Sequence, residues 1–310
     1  MENTRAKTTR NSLILLLTAT IWGMAFVSQS KGMDYMHPFT FNGVRSLIGA
    51  AGILVYILIS RKIAGDKAAK LDWKLNVKAG LLCGIFLTIA STLQQFGIKY
   101  TSVGKAGFIT TLYIIFVPMF GIFLKKKVAP VVWAAAGMAA VGMYLLCMTE
   151  SLRLGAGDIM VFLCAIAFAI QIMTVDHYAA RIDGAVVSCI QFTVCGVVCC
   201  IGALIWGQPT FGQIQEGLGA LLYAGVLSCG VGYTLQIVGQ KGLNPTVAAL
   251  IMSLESVIAT ISGWIAYKIG FLSTDQTLTP RQIAGCVIVF AAVILVQLPP
   301  EWFRFGKKND

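Results

Sequence analysis

The sequence predicts an all-α integral membrane protein, ten transmembrane helices arranged as two inverted five-helix repeats. Three observations lead there. Of 310 residues, 57% are hydrophobic and only 12% charged, with a mean hydropathy of +0.79; a soluble globular chain is nearer a quarter charged. The apolar residues gather into ten stretches, each about the 20 residues that cross ~30 Å of hydrocarbon as a helix. The two halves of the chain echo one another in order and spacing. This composition excludes a disordered, collagen-like or soluble multidomain chain.

The stretches run Ser12–Ser30, Pro38–Ser60, Val77–Gly97, Lys105–Leu124, Val128–Met148, Asp158–Tyr178, Ala185–Trp206, Leu218–Val238, Thr246–Ile269 and Gln282–Leu298. None alternates like a barrel strand over a useful length, so each reads as a helix. The basic start followed by Leu13 onward imitates a secretory signal. Its apolar run is too long and lacks a small-x-small cleavage site, so it reads as a retained first helix. With the N-terminus cytoplasmic, seventeen of the 24 lysines and arginines fall on the inner side, in clusters such as Arg61–Lys78, Lys125–Lys127 and Arg304–Lys308. Six fall on the outer side or outer helix ends, and Arg45 alone lies inside a span. Positive residues stay on the cytoplasmic side of short loops. The net charge of +11 is thus mainly a topology signal. It predicts a multi-pass protein of the inner (plasma) membrane with both termini in the cytoplasm, Trp302-Phe303-Arg304-Phe305 anchoring the end at the interface.

A cut near Leu154-Gly155-Ala156-Gly157 separates two similar halves, 1–153 and 154–310. Ala106-Gly107-Phe108-Ile109-Thr110-Thr111-Leu112 in the fourth span matches Ala248-Ala249-Leu250-Ile251-Met252-Ser253-Leu254 in the ninth. Ile21-Trp22-Gly23-Met24 matches Ala167-Phe168-Ala169-Ile170, and Ala136-Gly137-Met138 matches Ala284-Gly285-Cys286. Five spans per half send the second copy into the membrane from the opposite side. Repeats of that kind hold a solute site at their interface near the midplane.

The ten spans, the Trp22-Gly23 pair, Arg45 early in the second span, the Thr101–Leu124 stretch and Leu254-Glu255-Ser256-Val257 together resemble the EamA family of the drug/metabolite transporter superfamily. The resemblance covers Leu13–Leu298. It implies a carrier of small metabolites, often amino acids or related compounds, usually outward, with spans 4–5 and 9–10 as the less mobile backing of each repeat. Two departures stand out. The Gly-Glu pairs common after spans 4 and 9 are replaced by Lys125-Lys126-Lys127 and by Tyr267-Lys268 with an insertion through Thr279. The Pro that often follows the ninth-span Glu is Ser256. No role of those family acids transfers to this chain.

Ionisable residues in hydrocarbon cost ~2.5–3.5 kcal/mol each and face a cavity or a partner. Glu255 lies about 15 Å into its span, near mid-membrane; it is the candidate for solute binding and for proton coupling. Arg45, about 10 Å from its outer helix end, is either a structural partner of Glu255 or a solute contact. Lys105, at the outer start of the fourth span, either snorkels to the headgroups or meets an anionic solute. Neutral polar residues fall in stripes at helical spacing. Trp22, Thr110 and Tyr113, with Gln95, Gln171, Tyr233 and Gln236, are the expected lining of a shared cavity between spans 1, 3, 4, 6, 8 and 9. Pro118 is the expected kink in the fourth span, and Gly230 and Gly232 are hinge candidates in the eighth.

All nine cysteines fall within spans without C-x-x-C pairs, and His37 and His177 stand far apart. No metal or redox site is expected. No nucleotide-binding or hydrolase motif occurs, so no cofactor is expected either. The basic charge lacks interleaved exposed aromatics, which argues against nucleic acid. The expected partners are a small-molecule solute and the lipid bilayer; monomer and homodimer are both left open. The function these features predict is secondary transport, by alternating access, of small metabolites such as amino acids or related zwitterions, as an exporter and not an enzyme. The alternative is a membrane enzyme acting on a lipid or isoprenoid substrate, for which the loop acids Asp66, Asp72, Asp158, Asp183 and Glu216 are too scattered.

Overall fold

The computed structural model describes residues 2–65, 71–124, 130–147, 155–273 and 275–297. Among them there is no strand. The chain runs α1 (Glu2–Gly32), α2 (Pro38–Ala64), α3 (Trp73–Ile98), α4 in two pieces (Val103–Thr111 and Tyr113–Phe123), α5 (Pro130–Cys147) and α6 (Ala156–Tyr178). It continues with α7 (Gly184–Gly202, prolonged by a π-turn Ala203–Gly207), and α8, made of Leu218–Leu222, a π-helical Tyr223–Gly232 and Tyr233–Gln240. A short helix Phe211–Glu216 connects α7 to α8; α9, again in two pieces (Pro245–Met252 and Leu254–Lys268), and α10 (Pro280–Gln297) complete the chain. Eight of these are long and apolar enough to cross a membrane; α5 and α10 carry shorter apolar stretches, Pro130–Gly142 and Pro280–Leu295. The Trp302–Phe305 anchor and the Lys125–Lys127 cluster lie outside the described residues.

Two expectations are corrected. Spans 4 and 9 are not continuous helices: each breaks once, at Leu112 and at Ser253. And the fourth span breaks six residues before Pro118, which sits inside the second piece. The breaks occupy nearly the same place in each repeat, which points to symmetry and not to proline as their origin.

The repeat can be followed residue by residue. α2 and α7 start from side-chain caps, His37 Nδ1 accepting from Phe39 N and Asp183 Oδ1 from Ala185 and Val186 N. Such caps satisfy amide groups that a helix start leaves unpaired. Arg45 and Gln191 each stand eight residues past their cap. Ser102 and Asn244 cap α4 and α9, so Tyr113 and Glu255 each stand eleven residues past theirs. The helix contacts agree. A Cβ on Gly84 of α3 would meet Gln191 and Val194 of α7, and one on Gly225 of α8 would meet Arg45 and Ile48 of α2. Likewise Gly97 abuts Val161 and Gly239 abuts Leu15. Counterparts in one repeat therefore make counterpart contacts in the other.

Helices that lie on the two-fold relation pack against their own counterparts: α2 on α7, α4 on α9 and α5 on α10. Most other contacts have a twin, such as α3 on α6 and α8 on α1. The largest buried apolar cluster threads through this arrangement from Leu15 and Leu87 to Ile172, Phe192 and Leu250. Outward-facing positions are apolar as well, Leu54, Leu58, Phe123, Leu204 and Val287 among them, as lipid contact requires. The chain is an all-α membrane protein of ten transmembrane helices in two inverted five-helix repeats.

Candidate functional site: a closed cavity between the repeats

At the centre lies a cavity of about 30 Å³ lined from both repeats. That is room for a water or two, too little for a metabolite. The first repeat supplies Trp22, Phe26, Gln29, Arg45, Ser91, Gln94, Thr110 and Tyr113; the second supplies Phe168, Gln171, Phe192, Ser228, Tyr233, Gln236 and Glu255. Its polar groups are amides, hydroxyls, the Arg45 guanidinium and the Glu255 carboxyl, set among aromatic rings and the apolar Leu87 and Ile172.

Glu255 is 3% exposed and accepts a hydrogen bond from the Tyr113 hydroxyl at 3.0 Å. It sits just past the break in α9, as Tyr113 sits just past the break in α4. A buried carboxylate with a single donor and no cation beside it suits a proton or an ammonium group. Arg45 is 5% exposed, lies against the Phe41 ring at 5.3 Å, and its Nε has no hydrogen-bond partner. No ion pair joins Arg45 to Glu255, so the expected structural pairing of these two is corrected. Both side chains instead border the same cavity.

The walls are ordered by contacts within each repeat and, through Trp22, between them. Trp22 Nε1 donates to the Ser228 carbonyl at 3.4 Å, and the Trp22 and Tyr233 rings lie 4.5 Å apart. The Phe192 ring meets Tyr233 edge-on at 5.0 Å. Gln236 Nε2 donates to Gln171 Oε1 at 3.1 Å, and Gln171 Nε2 donates to Gln191 Oε1 at 3.4 Å. Gln94 Nε2 donates to Thr110 Oγ1 at 3.2 Å.

Of the residues expected from sequence, Trp22, Arg45, Thr110, Tyr113, Gln171, Tyr233, Gln236 and Glu255 come together here. Gln95 and Lys105 do not. Gln95 is buried beside α1 and donates to the Gln29 carbonyl at 3.1 Å. Lys105 neither snorkels free nor faces the cavity: its Nζ donates to Asp158 Oδ2 at 2.6 Å. Asp158 is 4% exposed and also accepts from Thr101 Oγ1 and Gly155 N. That ion pair closes the start of α4 onto the start of α6. Phe168, Gln94 and Phe192 went unread, yet two of them had a signal: Phe168 is the repeat counterpart of Trp22, and Gln94 that of Gln236.

A larger cavity, about 640 Å³, opens where α2 and α8 end, bordered by Tyr56, Asn76, Arg181, Asp183, Thr234 and Lys241. On α8 the two cavities use adjacent faces, Thr234 and Val238 on one, Tyr233 and Gln236 on the other. Among the described residues no three His, Cys, Asp or Glu side chains cluster as metal ligands, and His37 serves as a helix cap.

The model of the EamA-like transporter family matches the sequence twice, over residues 10–148 and 155–298. The chain belongs to the EamA-like transporter family. Its membrane setting, its two matched halves and a cavity between them that carries polar groups are those of a membrane transporter. The EamA chain is 28% identical over 290 residues to an uncharacterized transporter of Archaeoglobus fulgidus, covering 92% of this chain and 84% of that one. It is 24% identical over 295 residues to the uncharacterized transporter YwfM of Bacillus subtilis, covering 94% of each. A solved crystal structure shares the fold with a TM-score of 0.73 at 16% identity, covering 96% of this chain and 99% of that one.

Proposed function

We propose that this EamA transporter is a secondary carrier of small zwitterionic metabolites, amino acids or close relatives, and that it exports them by alternating access. The single observation behind the choice of solute is a closed cavity bordered by both Arg45 and Glu255 with no bond between them. A buried charge without a partner is costly, so the site without a solute suits a neutral Glu255, and a zwitterion would meet both groups at once. A carboxylate would meet Arg45 and an ammonium Glu255, with Trp22, Tyr113 and Tyr233 against the apolar part of the solute. Gln171 and Gln236 would supply hydrogen bonds, and Glu255 would carry a proton in the solute's absence. The repeats, 1–153 and 154–310, would rock about the site. The lysine and arginine distribution supports a plasma membrane location with both termini cytoplasmic; export would then run from the larger cavity to the far side.

The test is flux of radiolabelled L-amino acids in proteoliposomes. Glu255→Gln removes the titrating group and keeps its shape, so flux driven by a pH gradient is lost. Wild-type gradient dependence in that variant would remove the proton role.

A further inference from the structure

We infer that Gln191 is a solute-binding residue, the one that takes over the solute's carboxylate from Arg45 when the carrier changes face. The inference rests on the carrier reading above and starts from the repeat register. Arg45 and Gln191 stand at the same distance from their helix caps. Each backs onto the counterpart glycine of the other repeat, Gly225 for Arg45 and Gly84 for Gln191.

Their surroundings in this structure differ. Arg45 borders the cavity, and its Nε has no partner. Gln191 is 0% exposed and lies just outside the lining; its Oε1 accepts from Gln171, which is part of the lining. Gln191 Nε2 has no partner either. A buried donor left unbonded is expensive and rare. Two of them at counterpart positions, beside one cavity, point to a shared acceptor.

An inverted-repeat carrier reaches its opposite-facing state when the repeats exchange conformations about the fixed site. Under that exchange each residue acquires the surroundings its counterpart has here. Gln191 moves into the lining and Arg45 withdraws. The Tyr113–Glu255 hydrogen bond behaves differently, because its two ends are counterparts of one another. The exchange maps that bond onto itself, so Glu255 stays at the solute in both states. The ammonium end keeps its partner while the carboxylate passes from a guanidinium to a neutral amide. A charge-assisted bond outweighs a neutral one, by about two- to thirtyfold in affinity. The site thus binds strongly facing one side and weakly facing the other, which favours release on the weak side.

The experiment measures KM for entry and exit of radiolabelled L-phenylalanine and L-threonine with the carrier inserted in one orientation. The wild type shows KM values on the two faces differing about two- to thirtyfold. Gln191→Arg lowers KM on the weak face and slows kcat, because release becomes difficult. The double variant Arg45→Gln with Gln191→Arg inverts the asymmetry. A double variant that keeps the wild-type asymmetry overturns the inference, as does Gln191→Arg with both KM values unchanged. A second arm needs no solute: in a background freed of native cysteines, Gln191→Cys and Arg45→Cys both react with a small water-soluble thiol reagent. A Gln191→Cys thiol that stays inert while the Arg45→Cys thiol reacts also overturns it. Absence of flux for every amino acid, with both thiols reactive, counts against the zwitterion reading and leaves the hand-over supported.

Discussion

α3 and α8 occupy the same place in the two repeats, yet they are wound differently. α3 is a regular α-helix from Trp73 to Ile98, whereas α8 is π-helical over Tyr223–Gly232. The counterpart glycines measure the difference. From Gly84 to Gly97 the chain takes thirteen steps; from Gly225 to Gly239 it takes fourteen. One extra residue in α8 is absorbed as a wide turn, the form in which π-helix usually enters an α-helix and often at functional sites. The contacts at both glycines are preserved, so the insertion acts only between them. It leaves the Ser228 carbonyl facing Trp22 Nε1, while Tyr233 and Gln236 border the cavity as their counterparts Ser91 and Gln94 do. The repeats share a scaffold and differ beside the central cavity.

The largest expected effect comes from removing that difference. Deleting Leu227, which faces outward, makes α8 the length of α3. Every residue beyond the deletion turns by about 100° relative to those before it, or the deletion is absorbed by loss of the π-turn. In either case Trp22 loses the Ser228 carbonyl. The expected outcome is a folded protein, helical by circular dichroism, with amino-acid flux abolished. Wild-type flux from that variant would mean that the wide turn has no part in shaping the site.

A second difference lies at the two ends of the pathway. Lys105 and Asp158 join α4 to α6, but their counterparts are Val247 and Ser12, which can form no ion pair. At that opposite end, near where α8 closes, the bonds between repeats include Asn11 Nδ2 donating to the Lys241 carbonyl at 2.8 Å and Asp183 N donating to Asn76 Oδ1 at 2.9 Å. One end is therefore held by charge and the other by amides. Asp158→Asn should weaken the charged end by about 2 kcal/mol, the scale of a hydrogen bond to a charged group. It should also raise the reactivity of a cavity thiol towards reagent added from that side. Asn11→Ala should have the smaller effect, on the other side only. Equal effects of the two on both sides would show that the ends are energetically alike.

Much of this could be read from the sequence, and the limits have physical causes. Ten apolar stretches were legible because lipid imposes length and composition on each. The repeat was legible in the Ala106–Leu112 and Ala248–Leu254 segments. The breaks at Leu112 and Ser253 were not, since neither residue is a helix breaker and Pro118 drew attention downstream. A charge pair was one of the readings open to Lys105, but its partner was not legible, because Asp158 stands 53 residues away across the repeat boundary. The polar stripes correctly nominated most of the cavity, but they also nominated Gln95, whose amide serves a helix contact. Burial alone does not separate those two uses of a glutamine. The repeat register does better: extending it one residue past Leu112 pairs Tyr113 with Glu255, the two side chains that meet.

The smallest expected effect tests the difference between Trp22 and its counterpart Phe168. Both rings border the cavity, but only the indole has a donor, and it reaches the Ser228 carbonyl at 3.4 Å. Trp22→Phe makes the two repeats alike at this position while keeping a ring against Tyr233. The bond is long, and a neutral hydrogen bond contributes about 1 kcal/mol net, so KM should change by less than about sixfold. The carbonyl that Trp22 leaves lies in the π-turn, where a wide turn gives it a further choice of partners, which lowers the cost again. A loss of transport as complete as that of the Leu227 deletion would show that the indole N–H, and not the extra residue, holds α8 in its wide form.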